Sequence, residues 1–438
     1  MSRRLDWVTS PSHGLHGEIV VPGDKSVSHR AIMLSALAEG TSRITGFLEG
    51  EDTLATARIF TRMGVRIDAP SAGERIVHGV GLRGLRTPEG VLDCGNSGTA
   101  MRLLCGVLAG QGFDSTLAGD ASLSKRPMRR VTEPLARMGA AIDTAAGGTP
   151  PLRVRGSQHL HGTDYTSPIA SAQVKSSVLL AGLYAEGETV VHEPRPTRDY
   201  TERMLTAFGW PVAFEPGRAR LSGGHTLCAV DVEVPADFSS AAFFIVAATL
   251  VPGSRLVLRN VGMNPRRTGL LHVLRAMGAD IVEENVRDAG GERVADLVVR
   301  HARLRGIKVP VEHVADMIDE FPVLFVAAAC ADGATTIRGA EELRVKESDR
   351  IAVMAAGLRA LGVGVDETPD GAVIEGGRLH GGVVDSHGDH RCAMAFAVAG
   401  AVAAAETRIA DCANVATSFP TFVQLGRACG LAAGLVAE

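Results

Sequence analysis

The chain has 438 residues, 45% hydrophobic and 4% aromatic, with a formal net charge of −4 at pH 7. That length exceeds one compact core and gives a prior of two domains, while the acidic balance argues against a general nucleic-acid binder. Seven scattered cysteines with no Cys-x-x-Cys pair read as reduced thiols of a cytoplasmic protein, not a disulfide framework or a zinc site. The opening stretch, Met1 to Gly14, carries Arg3 and Arg4 but no apolar h-region, so no secretory signal is expected. The longest apolar runs, near Ala241–Val251 and Cys392–Ala405, fall short of the roughly 18–20 residues a membrane helix needs.

In chain order, six polar clusters each precede a nearly all-apolar helix. Asp24-Lys25-Ser26 leads Ala31–Leu37, and Asn96-Ser97-Gly98-Thr99 leads Met101–Leu108. Ser171-Ala172-Gln173 leads Val178–Leu183, and Asp237-Phe238-Ser239-Ser240 leads Ala241–Leu250. Asp319-Glu320-Phe321-Pro322 leads Val323–Cys330, and Asp389-His390-Arg391 leads Cys392–Val402. Helices apolar all round are buried on all sides. After each comes an alternating strand and a second, amphipathic helix, with Leu270, Leu274 and Met277 on one face, or Ile351, Met354, Leu358 and Leu361. Gly64, Gly139, Gly209, Gly278, Gly362 and Gly430 then close the second helices at spacings of 68 to 84 residues, where a left-handed residue costs little.

The chain therefore reads as six copies of one α/β unit, three per domain. Proline-containing breaks at Val21-Pro22-Gly23 and Val234-Pro235-Ala236 mark the junctions. The expected domains are 1–22 with 236–438, and 23–235. Helix N-termini carry free N–H groups and partial positive charge, so several aimed at one place would hold an anionic ligand.

Individual motifs sharpen this. Gly23-Asp24-Lys25-Ser26 resembles the end of a P-loop, but its upstream glycine is missing. What remains is a lysine and a serine at a helix start, with Arg30 one turn on. Gly79-Val80-Gly81-Leu82-Arg83-Gly84 matches a dinucleotide fingerprint, yet Pro88 and Gly90 forbid the helix that must follow, so it is a strand connection. In Lys125-Arg126-Pro127-Met128-Arg129-Arg130, Arg126 is the side chain aimed at ligand, and Arg129 and Arg130 are a solvated helix start. Gly147-Gly148-Thr149-Pro150-Pro151 reads as a loop. Asp319 reads as an N-cap or as a base kept ionised by cations. Taken alone, Glu341–Arg350 reads as a salt-bridged surface helix, while its loop position, after a strand and before an amphipathic helix, leaves it free to line a cleft. His387, Asp389 and His390 lack a further cluster at metal-ligand spacing, and Arg391 beside them favours an anion.

Together these residues are similar to the enolpyruvyl transferase family. The stretches carrying the resemblance are PGDKSVSHR (22–30), GNSGTAMR (95–102), KRPM (125–128), SAQVKS (171–176), PTRDYTE (196–202), IDEFPVL (318–324), ELRVKESDR (342–350), DHR (389–391) and TSFPTF (417–422). The resemblance implies a two-domain inside-out α/β barrel of six βαβαββ repeats whose cleft closes on substrate. It implies transfer of the enolpyruvyl group of phosphoenolpyruvate to the 5-hydroxyl of shikimate 3-phosphate, with no cofactor and no metal, by a cytoplasmic monomer with neither a nucleic-acid nor a membrane partner.

By motif, the resemblance assigns Lys25, Ser26, Arg30, Ser171, Ala172, Gln173, Arg198, Asp319 and Lys346 to shikimate 3-phosphate. It assigns Lys25, Asn96, Gly98, Arg126, Gln173, Arg350 and Arg391 to phosphoenolpyruvate. Asp319, Glu347 and Lys25 are the implied catalytic residues, Asp319 as base at the 5-hydroxyl and Glu347 as proton donor to the methylene carbon. Leu103 and Thr417 depart from the pattern, which has proline in many members and a lysine in some. The family's herbicide, glyphosate, competes at the phosphoenolpyruvate site, where Gly98 leaves room. The sister enzyme acting on UDP-N-acetylglucosamine carries a cysteine before its RPM-like element. Here Gly119–Pro127 has Ser122 and Ser124 and no cysteine.

Overall fold

A computed structural model describes residues 5–156, 159–289 and 291–436, so Arg3 and Arg4 lie outside the described residues. The chain divides into two units. One, here the inserted unit, is Gly23–Val234 with Ala289–Glu292; the other, the split unit, is Met1–Pro22, Pro235–Asp288 and Arg293–Glu438.

Each of the six apolar runs lies in a helix: Lys25–Leu37, Gly98–Ala109 and Ala172–Gly182 in the inserted unit, and Phe238–Leu250, Phe321–Ala329 and His390–Val402 in the split unit. Every residue of Phe238–Leu250 and of Phe321–Ala329 is buried. The three helices of the split unit pack against one another within a single apolar core. In the inserted unit Gly98–Ala109 lies against Ala172–Gly182. That approach is close enough to require glycine: a Cβ on Gly106 would sit 2.1 Å from the carbonyl oxygen of Ser177. The start of each helix follows from its polar cluster. Asp24, Ser97, Ser171, Asp237 and Asp389 are N-caps whose side chains accept backbone N–H groups. Asp319 is not a cap, because Glu320 holds that position and makes no side-chain cap bond. The capping role open to Asp319 in the sequence is therefore ruled out.

The second helices end as their glycines direct. Gly64, Gly139, Gly209, Gly278, Gly362 and Gly430 all have φ between 85° and 107°, and Gly278 and Gly430 are the C-caps themselves.

Six small sheets surround the buried helices, and their strand orders repeat. In the inserted unit they run Val232–Glu233, Glu39–Thr45, Arg75–Val80, Arg66–Asp68; then Leu92–Asp93, Ser115–Ala118, Thr149–Val154, Ile142–Ala145; then Asp164–Thr166, Glu188–His192, Arg218–Ser222, Val212–Glu215. In each, the first pair is parallel and the others antiparallel.

The split unit orders its first sheet likewise: His16–Ile19, Arg255–Gly262, Glu292–Arg300, Asp280–Ala289. Its second has three strands, Ala334–Ile337, Gly371–Glu375 and Val365–Thr368, with isolated parallel bridges from Arg305 to Asp332 and from Lys308 to Thr336 along the missing edge. In its third, Trp7–Thr9 sits between Thr407–Ala410 and Ala433–Leu435, so the start of the chain completes the sheet built from its end. Two strands are exchanged: His16–Ile19 precedes the Lys25 helix yet belongs to the split unit, and Val232–Glu233 precedes the Phe238 helix yet belongs to the inserted one.

Two sequence readings are corrected. Thr149, Pro150 and Pro151 are not loop but the start of a strand, reached by a turn over 146–148; the antiparallel partner Ile142–Ala145 draws them into a ladder. The 341–350 segment is not a surface helix. It is a 3-10 turn, Glu341–Val345, followed by a helix start at Arg350, whose side chain is only 2% exposed.

Candidate active site

In the inserted unit the three polar helix starts are tied to one another by side chains. Gln173 accepts from Arg102 Nη1 at 2.6 Å and donates to Thr99 Oγ1 at 2.9 Å, joining the Ala172 and Gly98 helices. Arg30 donates to Ser176 Oγ at 2.8 Å and Thr201 Oγ1 at 2.7 Å, joining the Lys25 helix to the Ala172 and Tyr200–Ala207 helices, and Ser97 Oγ lies 3.5 Å from His29 Nε2, joining it to the Gly98 helix. Tyr200 Oη donates to Asp24 Oδ2 at 3.0 Å. Arg126 donates to Asn96 Oδ1 at 2.9 Å, and a Cβ on Gly98 would stand 3.2 Å from Arg126 Nη1. Asn96, Gly98 and Arg126 are thus gathered at one helix start, with Gln173, through Arg102, beside them.

Lys25 pairs with Asp52 at 2.5 Å and keeps part of its side chain exposed. Ser26, Ser171, Ala172 and Arg198 are half-buried around these starts. Arg30 is different: it is almost wholly buried and donates to Thr201, Ser176 and the Ser26 carbonyl, all internal. Burial, with a smaller push from Arg198, takes its pKa down to about 10 against the pull of Glu202 and Asp24. Burial, with Lys25 and Arg30 nearby, also drives His29 well below its usual range, so it is neutral; its Nδ1 lies 2.8 Å from Thr56 Oγ1. Lys175 is buried between Glu193 and Glu202, 2.8 Å from each. Burial opposes its charge, but Glu202 and Glu193 raise its pKa. This network links the Ala172 helix to the Tyr200–Ala207 helix and the 193–199 loop.

The split unit is built the other way, with cations threaded through carboxylates. Arg350 Nε donates to Asp389 at 2.8 Å, Nη1 to Asp319 at 3.3 Å and Nη2 to Glu347 at 2.5 Å. Burial opposes the charge on Arg350, but Asp389, Glu347 and Asp319 hold its pKa well above the ordinary value. Lys346 Nζ stands 3.6 Å from Asp319 Oδ1. Arg391 donates to the Asp319 carbonyl at 3.1 Å and lies 3.7 Å from Glu320. Asp319, Lys346, Glu347, Arg350 and Arg391 therefore form one cluster at the starts of the Phe321, Arg350 and His390 helices.

Several charged partners were not read from the sequence: Asp52, Arg102, Lys175, Arg267 and Glu320. Asp52 and Arg267 had a usable signal. Both occupy the entry to the second helix of a repeat, the place Arg126, Arg198 and Arg350 hold in others. In the last repeat that place holds Thr417, whose hydroxyl bonds the Asn414 carbonyl.

The inserted unit gathers lysine and arginine at helix starts, groups suited to anions, and the split unit pairs carboxylates with arginines, groups able to exchange protons. The sequence signature of the EPSP synthase (3-phosphoshikimate 1-carboxyvinyltransferase) family matches residues 9–425. A 3-phosphoshikimate 1-carboxyvinyltransferase of Xanthomonas campestris pv. campestris is 66% identical over 424 residues, covering 97% of each chain. That of Xanthomonas axonopodis pv. citri is also 66% identical, over 97% of this chain and 96% of its own. The solved structure of EPSP synthase from Acinetobacter baumannii has a TM-score of 0.90 at 52% identity, covering 99% of this chain and all of that one. The chain belongs to the EPSP synthase family.

Proposed function

We propose that this chain transfers the enolpyruvyl group of phosphoenolpyruvate to the 5-hydroxyl of shikimate 3-phosphate, releasing phosphate, on the route to aromatic amino acids. Asp319 takes the hydroxyl proton as the oxygen bonds to C2 of phosphoenolpyruvate, and Glu347 delivers a proton to the methylene carbon. The tetrahedral adduct then loses phosphate and a methyl proton, which restores the double bond. Lys25, Ser26, Arg30, Ser171, Ala172, Gln173, Arg198 and Lys346 serve the shikimate 3-phosphate side, Arg30 by fixing the Lys25 helix. Lys25, Asn96, Gly98, Gln173, Arg126, Arg350 and Arg391 serve phosphoenolpyruvate. These fixed cations meet developing charge without reorganising, and no cofactor or metal enters the reading.

The observation that carries it is the sharing of one buried guanidinium, Arg350, by Asp319 and Glu347. Asp319, facing both Arg350 and Lys346, is the carboxylate kept ionised to act as the base, and Glu347 acts from its protonated form. Five four-stranded sheets of like strand order, with a sixth of three strands, support a six-repeat, inside-out α/β barrel, which we take with domains 1–22 plus 236–438 and 23–235. Seven free cysteines fit a reducing cytoplasm, and we take the enzyme to be a monomer. Asp319→Asn and Glu347→Gln test the roles: each is expected to lose about a hundredfold or more in turnover while still binding both substrates. Full turnover in either variant contradicts the assignment.

A further inference from the structure

One buried cation outside the residues assigned above faces the proposed base. Arg267 enters the Gly269–Met277 helix and is 3% exposed. Its Nη2 donates to Ser239 Oγ at 2.5 Å and lies 3.1 Å from Asp237 Oδ1, which anchors it to the start of the Phe238 helix. Its Nη1 lies 3.7 Å from Asp319 Oδ2 and 3.8 Å from Glu320 Oε1. Arg350 and Lys346 approach the other oxygen, Oδ1. Asp319 is therefore held from both sides by cations on two different segments, Arg267 on one and Lys346 with Arg350 on the other. Glu320, 1% exposed, accepts from Ser239 Oγ and faces Arg391 at 3.7 Å, so the same buried carboxylate joins Arg267 to Arg391.

We propose that Arg267 is a positioning residue for the reaction: it fixes the orientation of the Asp319 carboxylate through Oδ2 and, through Glu320, aligns that carboxylate with Arg391. It does not touch substrate. This inference rests on the reaction proposed above. The groups around Asp319 are Arg350, Lys346 and Arg267 on its oxygens and Arg391 on its carbonyl, with Glu347, Glu320, Asp237, Asp389 and His390 in the surrounding network. Removing one facing cation disfavours the ionised base.

In the full-length enzyme, Arg267→Gln is expected to lower kcat about 10- to 100-fold while KM for both substrates changes less than about threefold. The acid limb of kcat moves up by about one pH unit, and Arg267→Lys returns most of both. Because Arg267 also balances buried carboxylates, the double variant Arg267→Gln/Glu320→Gln, which removes one charge of each sign, is measured alongside and shows the same limb shift. An NMR titration of protein labelled at the aspartate carboxyl carbons, with Asp319→Asn for assignment, reads the Asp319 carboxyl directly and shows it titrating higher in Arg267→Gln. Unchanged kcat and an unmoved titration in the folded variants overturn the proposal, as does a rise in KM alone. Wild-type protein that releases no phosphate contradicts the reaction instead, and the titration still decides whether Arg267 governs Asp319.

Discussion

Asp389 carries two loads that one substitution can separate. Its Oδ1 caps the His390–Val402 helix through the N–H groups of Arg391 and Cys392, and its Oδ2 accepts from Arg350 Nε at 2.8 Å. Both partners of that ion pair are essentially inaccessible to water. Asparagine caps as well as aspartate, so Asp389→Asn removes the charge and leaves the cap. Losing one partner of a buried pair costs about 3–5 kcal/mol. Arg350 retains Glu347 and Asp319, which places the expected loss near the low end, about 3 kcal/mol. Urea unfolding with a slope of about 2 kcal/mol/M then shifts the midpoint down by about 1.5 M.

The chain has two tryptophans, Trp7 in the split unit and Trp210 in the inserted one. Fluorescence of Trp7 in a Trp210→Phe background therefore reports the unit that changes. Burial pushes the Asp389 carboxyl up, but Arg350 pulls it down further, to a net value below the ordinary range. A depressed carboxylate stabilises above its unfolded value of about 3.9 and loses that stabilisation as pH falls through the lower folded value. The gap between wild type and Asp389→Asn is thus full at neutral pH and closes in acid below pH of about 4. A loss under about 1 kcal/mol, of the size expected for an exposed pair, or a gap independent of pH, refutes the reasoning.

Three further outcomes are expected. Gly98→Ala places a Cβ 3.0 Å from Arg102 Nη1 and 3.2 Å from Arg126 Nη1; the guanidinium groups move a few tenths of an ångström, and KM for phosphoenolpyruvate rises about tenfold, about 1.4 kcal/mol, with the unfolding midpoint unchanged. Glyphosate is expected to inhibit the wild-type enzyme in competition with phosphoenolpyruvate and to be weakened by the same substitution; full turnover at saturating glyphosate counts against the placement of Gly98. Lys175→Met leaves Glu193 and Glu202 buried without their cation, so the Trp210-reported transition loses about 3–5 kcal/mol.

What the sequence made legible is what short-range chemistry dictates. The six glycines announced left-handed helix ends, and the polar clusters announced helix starts because capping side chains act within three residues. What stayed hidden depends on distant partners. The exchange of His16–Ile19 and Val232–Glu233 between sheets pairs strands that lie more than 180 residues apart in sequence, which no local pattern encodes. Glu341–Arg350 looked like a solvated helix because its own acids and bases alternate; its arginine is buried by Asp319 and Asp389, which lie on other helix starts. Arg267 was overlooked because its loop, Asn264–Thr268, lacks the flanking signature that marked Arg126 and Arg350, although the repeat put it in the equivalent place.

The most direct test of the reaction is phosphorus NMR of the purified chain mixed with phosphoenolpyruvate and each of two acceptors, shikimate 3-phosphate and UDP-N-acetylglucosamine. The resonance of inorganic phosphate growing only with shikimate 3-phosphate, in step with the enolpyruvyl product, is the predicted result. Phosphate released only with the nucleotide sugar, or with neither, contradicts it.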